Sequence, residues 1–254
     1  MKSILKNIFF RFGALFPQRM EGRATILMYH SVSLARGYFF TVAPKEFETQ
    51  MNYLMSKGRK VIPLSALVAK LRNSNVLDGE IAITFDDGYQ DNYLHAFPVL
   101  KKLQLPATIF VTTQLIGGVD KRKTAMLSEA ELKEMHASGL IDIEPHSQTH
   151  PKLAKLTQEG AKSEIEGSKK TIEKLLGKTC SIFAYPYGNF NAETAELVRS
   201  LGFDAAVTVR EGTIVSGDDL FTLKRNSIDR LTTWTQFLGK ISRVIDRYQS
   251  LKGS

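Results

Sequence analysis

Two short runs hold the residues best suited to chemistry, Thr84-Phe85-Asp86-Asp87-Gly88-Tyr89 and His146-Ser147-Gln148-Thr149-His150. Two imidazoles and one carboxylate make an Asp/His/His ligand set. Such a set leaves a divalent metal open positions for water and substrate, the pattern of a catalytic rather than a structural site. The second carboxylate is then spare, and suited to act as the base for that water. Taken alone, each run has an ordinary reading. Asp-Asp-Gly is a common strand-ending turn, and a histidine pair four apart is common on a polar face.

The flanking sequence weighs against the ordinary readings. Ile81 to Phe85 is an apolar, β-branched run that ends at the aspartates, and Ile141-Asp142-Ile143-Glu144 reads as a strand stopping at Pro145, just before His146. Both motifs are therefore expected at the carboxyl ends of strands, where parallel α/β sheets and barrels carry their chemistry. Further strand-like runs at 24–29, 107–112, 181–185, 204–209 and near Leu223 alternate with helix-like runs at 44–57, 65–71, 90–103, 128–137, 158–176, 192–201 and 234–248. This alternation predicts a parallel sheet with right-handed crossovers. Pro98 predicts a kink, Ser128 with Glu131 a capping box, and Gly177 a helix end.

The motifs, in this order, resemble those of the polysaccharide deacetylases that share the NodB homology domain, also called carbohydrate esterase family 4. TFDDG and HSxTH both stand unsubstituted, and Phe183-Ala184-Tyr185-Pro186-Tyr187-Gly188 is similar to the family's RPPYG segment with Ala184 in place of its Arg. Leu27-Met28-Tyr29-His30-Ser31 further resembles the PgaB and IcaB subgroup of glucosamine-polymer deacetylases. The resemblance implies an α/β fold, a distorted (β/α) barrel of mostly parallel strands, over residues 24–254. A basic amphipathic segment, residues 1–23, precedes it. It also implies that Asp87, His146 and His150 bind one divalent ion and that Asp86 is the catalytic base. Imidazole ligands suit zinc, with cobalt or nickel as alternatives, better than magnesium. The backbone N–H of Tyr187 would stabilise the oxyanion, and Pro186, Tyr89 and Arg225 complete the candidate substrate and oxyanion side.

Two departures from the family pattern matter for mechanism. No histidine follows His150, where most members place a general acid in an LxH motif, and the Arg that normally orients the base is missing. The candidate proton donors are His30, at the end of the first strand, and the catalytic aspartate returning the proton it took. Arg225, at the end of a late strand, is the candidate replacement for the Arg. Ordinary readings compete here too: a hydrogen bond inside the strand-end turn for His30, and a surface or dipole partner for Arg225. His95 and His136 are expected to be solvated on helices, and Trp234 to start the last helix.

The function expected is that of a metal-dependent hydrolase removing N-acetyl groups from an amino sugar in a glycan, glycolipid or surface-polysaccharide precursor. An O-acetyl esterase acting on a carbohydrate is the alternative enzyme. A non-catalytic glycan- or membrane-binding protein is the alternative from another class, disfavoured by the intact aspartates and histidines.

Composition bounds the remaining choices. A chain of 254 residues with 43% apolar content suits one large domain, and the lone Cys180 excludes a disulfide framework and a cysteine-based zinc site. Cys180 is expected to be a buried small hydrophobe. The net charge of +8 sits at the ends: residues 1–25 carry five basic groups and one acid, and the stretch from Lys224 carries seven basic groups and two acids. Residues 26–223 are nearly neutral, with 22 basic and 23 acidic groups. No module or aromatic-basic face indicates nucleic acid. Within residues 1–17, Ile4, Leu5, Ile8, Phe9, Phe12, Leu15 and Phe16 fall on one helical face. An amphipathic helix in a membrane interface is expected, with docking or export as alternatives. The protein is accordingly expected to be cytoplasmic and peripheral at the inner face of the cytoplasmic membrane, held through its basic termini.

Overall fold

The computed structural model describes residues 20–34 and 39–252. The amphipathic reading of residues 1–17 therefore lies outside the described residues. The strands are β1 (Arg23–Tyr29), β2 (Ser31–Val32), β3 (Thr41–Val42), β4 (Ile81–Phe85), β5 (Ala107–Val111), β6 (Ile141–Pro145), β7 (Ile182–Ala184), β8 (Ala205–Val207), β9 (Ile214–Val215) and β10 (Asn226–Ser227). The helices are α1 (Pro44–Ser56), α2 (Leu64–Arg72), α3 (Phe97–Leu103), α4 (Glu129–Ala137), α5 (Gln158–Leu176), α6 (Ala192–Ser200), α7 (Trp234–Lys240) and α8 (Val244–Lys252).

Strands β10, β1, β4, β5 and β6 pair in that order, all parallel, and β7 pairs in parallel with β8. Val207 bridges Leu223 in parallel, so the chain running from Leu223 into β10 joins β8 back to β1. Among the described residues the backbone ladder is interrupted at one seam, between β6 and β7. Side chains close it. The buried Glu144 carboxylate accepts from the N–H groups of Ser181 (3.1 Å) and Ile182 (3.1 Å), in place of a neighbouring strand's carbonyls. Lys178 donates to the Ile143 carbonyl (2.8 Å) and to Glu144 (2.9 Å) and pairs with Asp142. The result is the distorted, mostly parallel barrel.

Residue parity divides the core. Successive strand side chains point to opposite faces, so Leu27, Tyr29, Ile83, Phe85, Ile109, Val111 and Ile143 pack outward under helices through Phe47, Met51, Phe97, Leu132 and Ile165. The other parity fills the interior, with Ala24, Ile26, Ala82, Phe110, Ile182, Ala184, Val207 and Leu223, and α2 packs against this set through Leu64, Leu67, Val68 and Leu71. Strands covered on both faces read as continuous apolar runs, as these do.

Several local expectations hold. Ser128 and Glu131 form the capping box, Gly177 ends α5 in the left-handed region (φ 66°), and Cys180 is fully buried. Trp234 opens α7 with its ring against Phe237 and Tyr53. Others differ. The stretch expected as one helix with a kink at Pro98 is a π-turn over Asn92–Ala96 followed by α3. The Phe97 N–H donates to Asn92, five residues back, and Pro98 falls in the first turn of α3, where its missing N–H is tolerated. The single helix expected at 234–248 is two, α7 and α8, parted after Ile241. The short strands β2, β3 and β9 had no sequence expectation, and the strand near Leu223 is an isolated bridge leading into β10. His95 and His136 are half-buried rather than fully solvated. No described helix is long and apolar enough to cross a membrane.

Candidate active site

Interior parity turns Asp86, His146 and Arg225 inward: Asp86 and His146 follow the last residues of β4 and β6 at the carboxyl rim, and Arg225, one residue before β10, reaches Asp86 there with its side chain. Asp87 follows in the left-handed region (φ 73°), which turns its side chain away from that of Asp86 and toward the histidines. Ser147 (φ 65°), His150 (φ 61°) and Tyr187 (φ 59°) share that backbone conformation. Four of the seven described non-glycine residues with positive φ thus belong to one site, at a cost of about 1–3 kcal/mol each that the surrounding fold sustains.

Asp87, His146 and His150 converge. The two Nε2 atoms are 3.2 Å apart, and Asp87 Oδ1 lies 3.6 Å from His146 Nε2 and 3.3 Å from His150 Nε2. The His146 Nδ1 faces the Ala184 carbonyl at 2.8 Å, and a carbonyl can only accept, so the proton sits on Nδ1 and the Nε2 lone pair points into the cluster. Donors about 2.0–2.2 Å from a tetrahedral ion stand about 3.4 Å from one another, so the donor set fits a small divalent cation. Burial, with His146 beside it, pulls the His150 imidazole down to about 4, which keeps it in the neutral form a ligand needs. The loop that carries the histidines is held from below by Glu164, which accepts from the N–H groups of Gln148 and Thr149 (2.9 Å each) and from the Thr149 hydroxyl (2.7 Å).

Asp86 has a different partner. Arg225 is fully buried and donates to both carboxylate oxygens, Nη1 to Oδ1 at 2.6 Å and Nη2 to Oδ2 at 2.7 Å. It also donates to Thr84 Oγ1 (3.1 Å) and the Thr208 carbonyl (2.9 Å), and its guanidinium lies over the Phe110 ring at 5.4 Å. Burial pushes the Asp86 carboxyl up, but the Arg225 guanidinium outweighs it and holds the carboxyl well below the usual range. The surface reading of Arg225 is thereby corrected, and so is its place on the substrate side, since a fully buried guanidinium offers no face to a glycan.

The other expected residues are less closely placed. His30 packs its ring against Phe40 (5.2 Å) and donates nothing from Nδ1, which is buried without a partner. The turn holds the His30 backbone instead, through Asn92 Nδ2 on its carbonyl at 2.7 Å. Pro186 is buried, and Tyr187 sets its ring 4.4 Å from that of His150 on the wall of a cleft of about 250 Å³. Tyr89 lines the same cleft. Burial, helped by Asp87 and Asp120, raises its phenol far above the usual value. Glu164 and the cleft residues Phe40, Lys121 and Arg122 were missed, because no motif marks them and only tertiary packing brings them here. Thr84 stands inside the first motif but was given no role, and here its hydroxyl accepts from Arg225.

A sequence profile of the polysaccharide deacetylases matches residues 73–206. The chain is 36% identical over 201 residues to YxkH of Bacillus subtilis, covering 79% of this chain and 69% of that protein. It is 27% identical over 227 residues to the poly-beta-1,6-N-acetyl-D-glucosamine N-deacetylase of Staphylococcus aureus, covering 81% and 78% of the two chains. The solved structure of IcaB from Ammonifex degensii superposes with a TM-score of 0.80 at 26% identity, over 87% of this chain and 97% of that one.

Proposed function

Because the chain belongs to the polysaccharide deacetylase family, we propose that it is a metal-dependent N-deacetylase of an N-acetylglucosamine-type surface polymer, with zinc as its ion. The observation that carries this reading is the pairing of an Arg-locked carboxylate, Asp86, with the adjoining Asp87/His146/His150 donor set. Similarity to the Staphylococcus aureus N-deacetylase supports the choice of an N-acetylglucosamine polymer.

A divalent ion bound by Asp87, His146 and His150 supplies Lewis acidity for an acetyl carbonyl and for water. Asp86 stays ionised and oriented, since both oxygens are fixed on Arg225 while each keeps a lone pair to take the proton of the attacking water. The Tyr187 N–H is the candidate second donor to the oxyanion. His30, with an unpartnered Nδ1 at the same rim, is the candidate donor to the leaving amine.

The test supplies the purified protein with zinc and offers β-1,6-linked N-acetylglucosamine oligomers beside an O-acetylated sugar. Release of acetate together with new primary amine, abolished by chelation, is the expected result. Acetate from the O-acetyl sugar alone would make the protein an esterase.

A further inference from the structure

The loop 147–150, which carries His150 into the donor set, is costly to form. Ser147 and His150 both take the left-handed backbone (φ 65° and 61°), which residues other than glycine hold only against strain. The carbonyls of the loop are engaged by the turn Thr113–Leu115 after β5: the Thr113 N–H donates to Ser147 (3.1 Å) and the Gln114 N–H to Gln148 (3.0 Å). The His150 N–H donates to Ser147 Oγ (3.0 Å). The two N–H groups between them belong to Glu164 on α5. One oxygen, Oε2, accepts from both Gln148 and Thr149, while Oε1 accepts from the Thr149 hydroxyl. Successive N–H groups after a left-handed residue make a concavity suited to an anion, and here the chain supplies that anion itself.

The same helix is shaped to the loop at two further positions. The Gln148 side-chain amide donates to the Ser163 carbonyl at 2.8 Å. At Gly167 a Cβ would stand 2.5 Å from Gln148 Cδ, so any larger residue there would push that side chain aside. Glycine inside a helix costs stability relative to alanine, and here it leaves the loop its place. Ile165, next to Glu164, is fully buried and fixes this turn of α5 to the core. The carboxylate therefore reaches the loop from a rigid element.

We infer that Glu164 is a positioning residue for the metal centre: by holding loop 147–150 folded in advance, it raises the affinity of the Asp87/His146/His150 set for a divalent ion. The inference rests on the metal-dependent reading of that set. Removing the carboxylate leaves two adjacent N–H groups without their shared acceptor, inside a loop that already carries two strained residues. Binding of the ion must then supply the ordering that Glu164 supplied, and the cost appears as weaker binding.

Zinc titrated calorimetrically into the metal-free protein, Glu164→Ala and Glu164→Gln tests this, with urea unfolding of the same metal-free samples measured beside it. Glu164→Ala is expected to bind zinc about tenfold more weakly than the unsubstituted chain. Glu164→Gln keeps one oxygen for the two N–H groups and is expected to recover most of that loss, because the role is to hold the loop and not to place charge near the ion. Lower stability with unchanged zinc affinity in Glu164→Ala would make the carboxylate an ordinary helix contact and overturn the positioning role. Equal weakening in both variants would overturn it as well, since charge would then be the cause. Hydrogen exchange in the unsubstituted, metal-free protein needs no variant to fold. The Gln148 and Thr149 amides are expected to be protected before any ion is added, and exchange at the rate of an unstructured chain would show that the loop is not held in advance. An unsubstituted protein that takes up no zinc defeats the metal reading, and the positioning role with it, whereas zinc uptake indifferent to Glu164 defeats the positioning role alone.

Discussion

Asp86 and Asp87 are neighbours with opposite surroundings, one buried on a guanidinium and the other turned by a left-handed backbone toward two imidazoles. Their replacement should separate two functions. Asp86→Asn is expected to retain stoichiometric zinc, by atomic absorption, while losing roughly two or more orders of magnitude in rate. His150→Ala should lose metal and activity together. If Asp86→Asn sheds the ion while Asp87→Asn keeps it, the assignment of the two aspartates is reversed. His150 also gives a pH signature. Its folded value of about 4 lies below the ordinary 6.5, so the folded state binds fewer protons than the unfolded chain between those values. Stability is therefore lost as pH falls from 6.5 toward 4, by at most about 1.4 kcal/mol for each pH unit crossed. Urea unfolding of the metal-free protein across that window should show the decline, and His150→Ala should flatten it. The motif residues were legible because each run is local and sits at a strand end. Arg225 was only half legible, since nothing in Leu223-Lys224-Arg225 says that its side chain faces inward across the barrel to Asp86.

At the scale of elements, the seam between β6 and β7 replaces strand pairing with a buried carboxylate, and that substitution is open to test. In Glu144→Gln one oxygen becomes an NH2 group that donates and cannot accept, so the Ser181 and Ile182 N–H groups and Lys178 are left with a single neutral acceptor, and Lys178 keeps only the less buried Asp142 as counterion. The expected loss is about 3–5 kcal/mol in urea unfolding. A loss below about 1 kcal/mol, the range of exposed pairs, would show that the seam does not depend on Glu144. The alternation of strands and helices was readable because covered parallel strands are continuously apolar. The seam was not, because a glutamate at the end of Ile141-Asp142-Ile143-Glu144 looks like an outward polar residue until its neighbours are known. The break between α7 and α8 likewise carries no proline to announce it.

On the scale of the whole molecule, the positive excess after Lys224 is partly neutralised within the fold: Arg225 by Asp86, Lys240 by Glu211 and Lys224 by Asp218. The proposed membrane contact therefore falls mainly to the basic amphipathic segment 1–17. Deleting it is expected to move the protein from the membrane fraction to the supernatant without changing acetate release from a small soluble substrate. Retention on membranes would assign the attachment elsewhere.

The Asp86–Arg225 pair spans 139 residues of sequence, and the profile match at 73–206 contains the first partner and not the second. Synthesis runs from the amino end, so a growing chain completes its donor set at His150 long before it acquires the guanidinium that orients its base. A product truncated before residue 225 would carry all three residues of the donor set and lack the counter-charge of Asp86. Translation order thus supplies the donor-set residues first and the partner that orients Asp86 last.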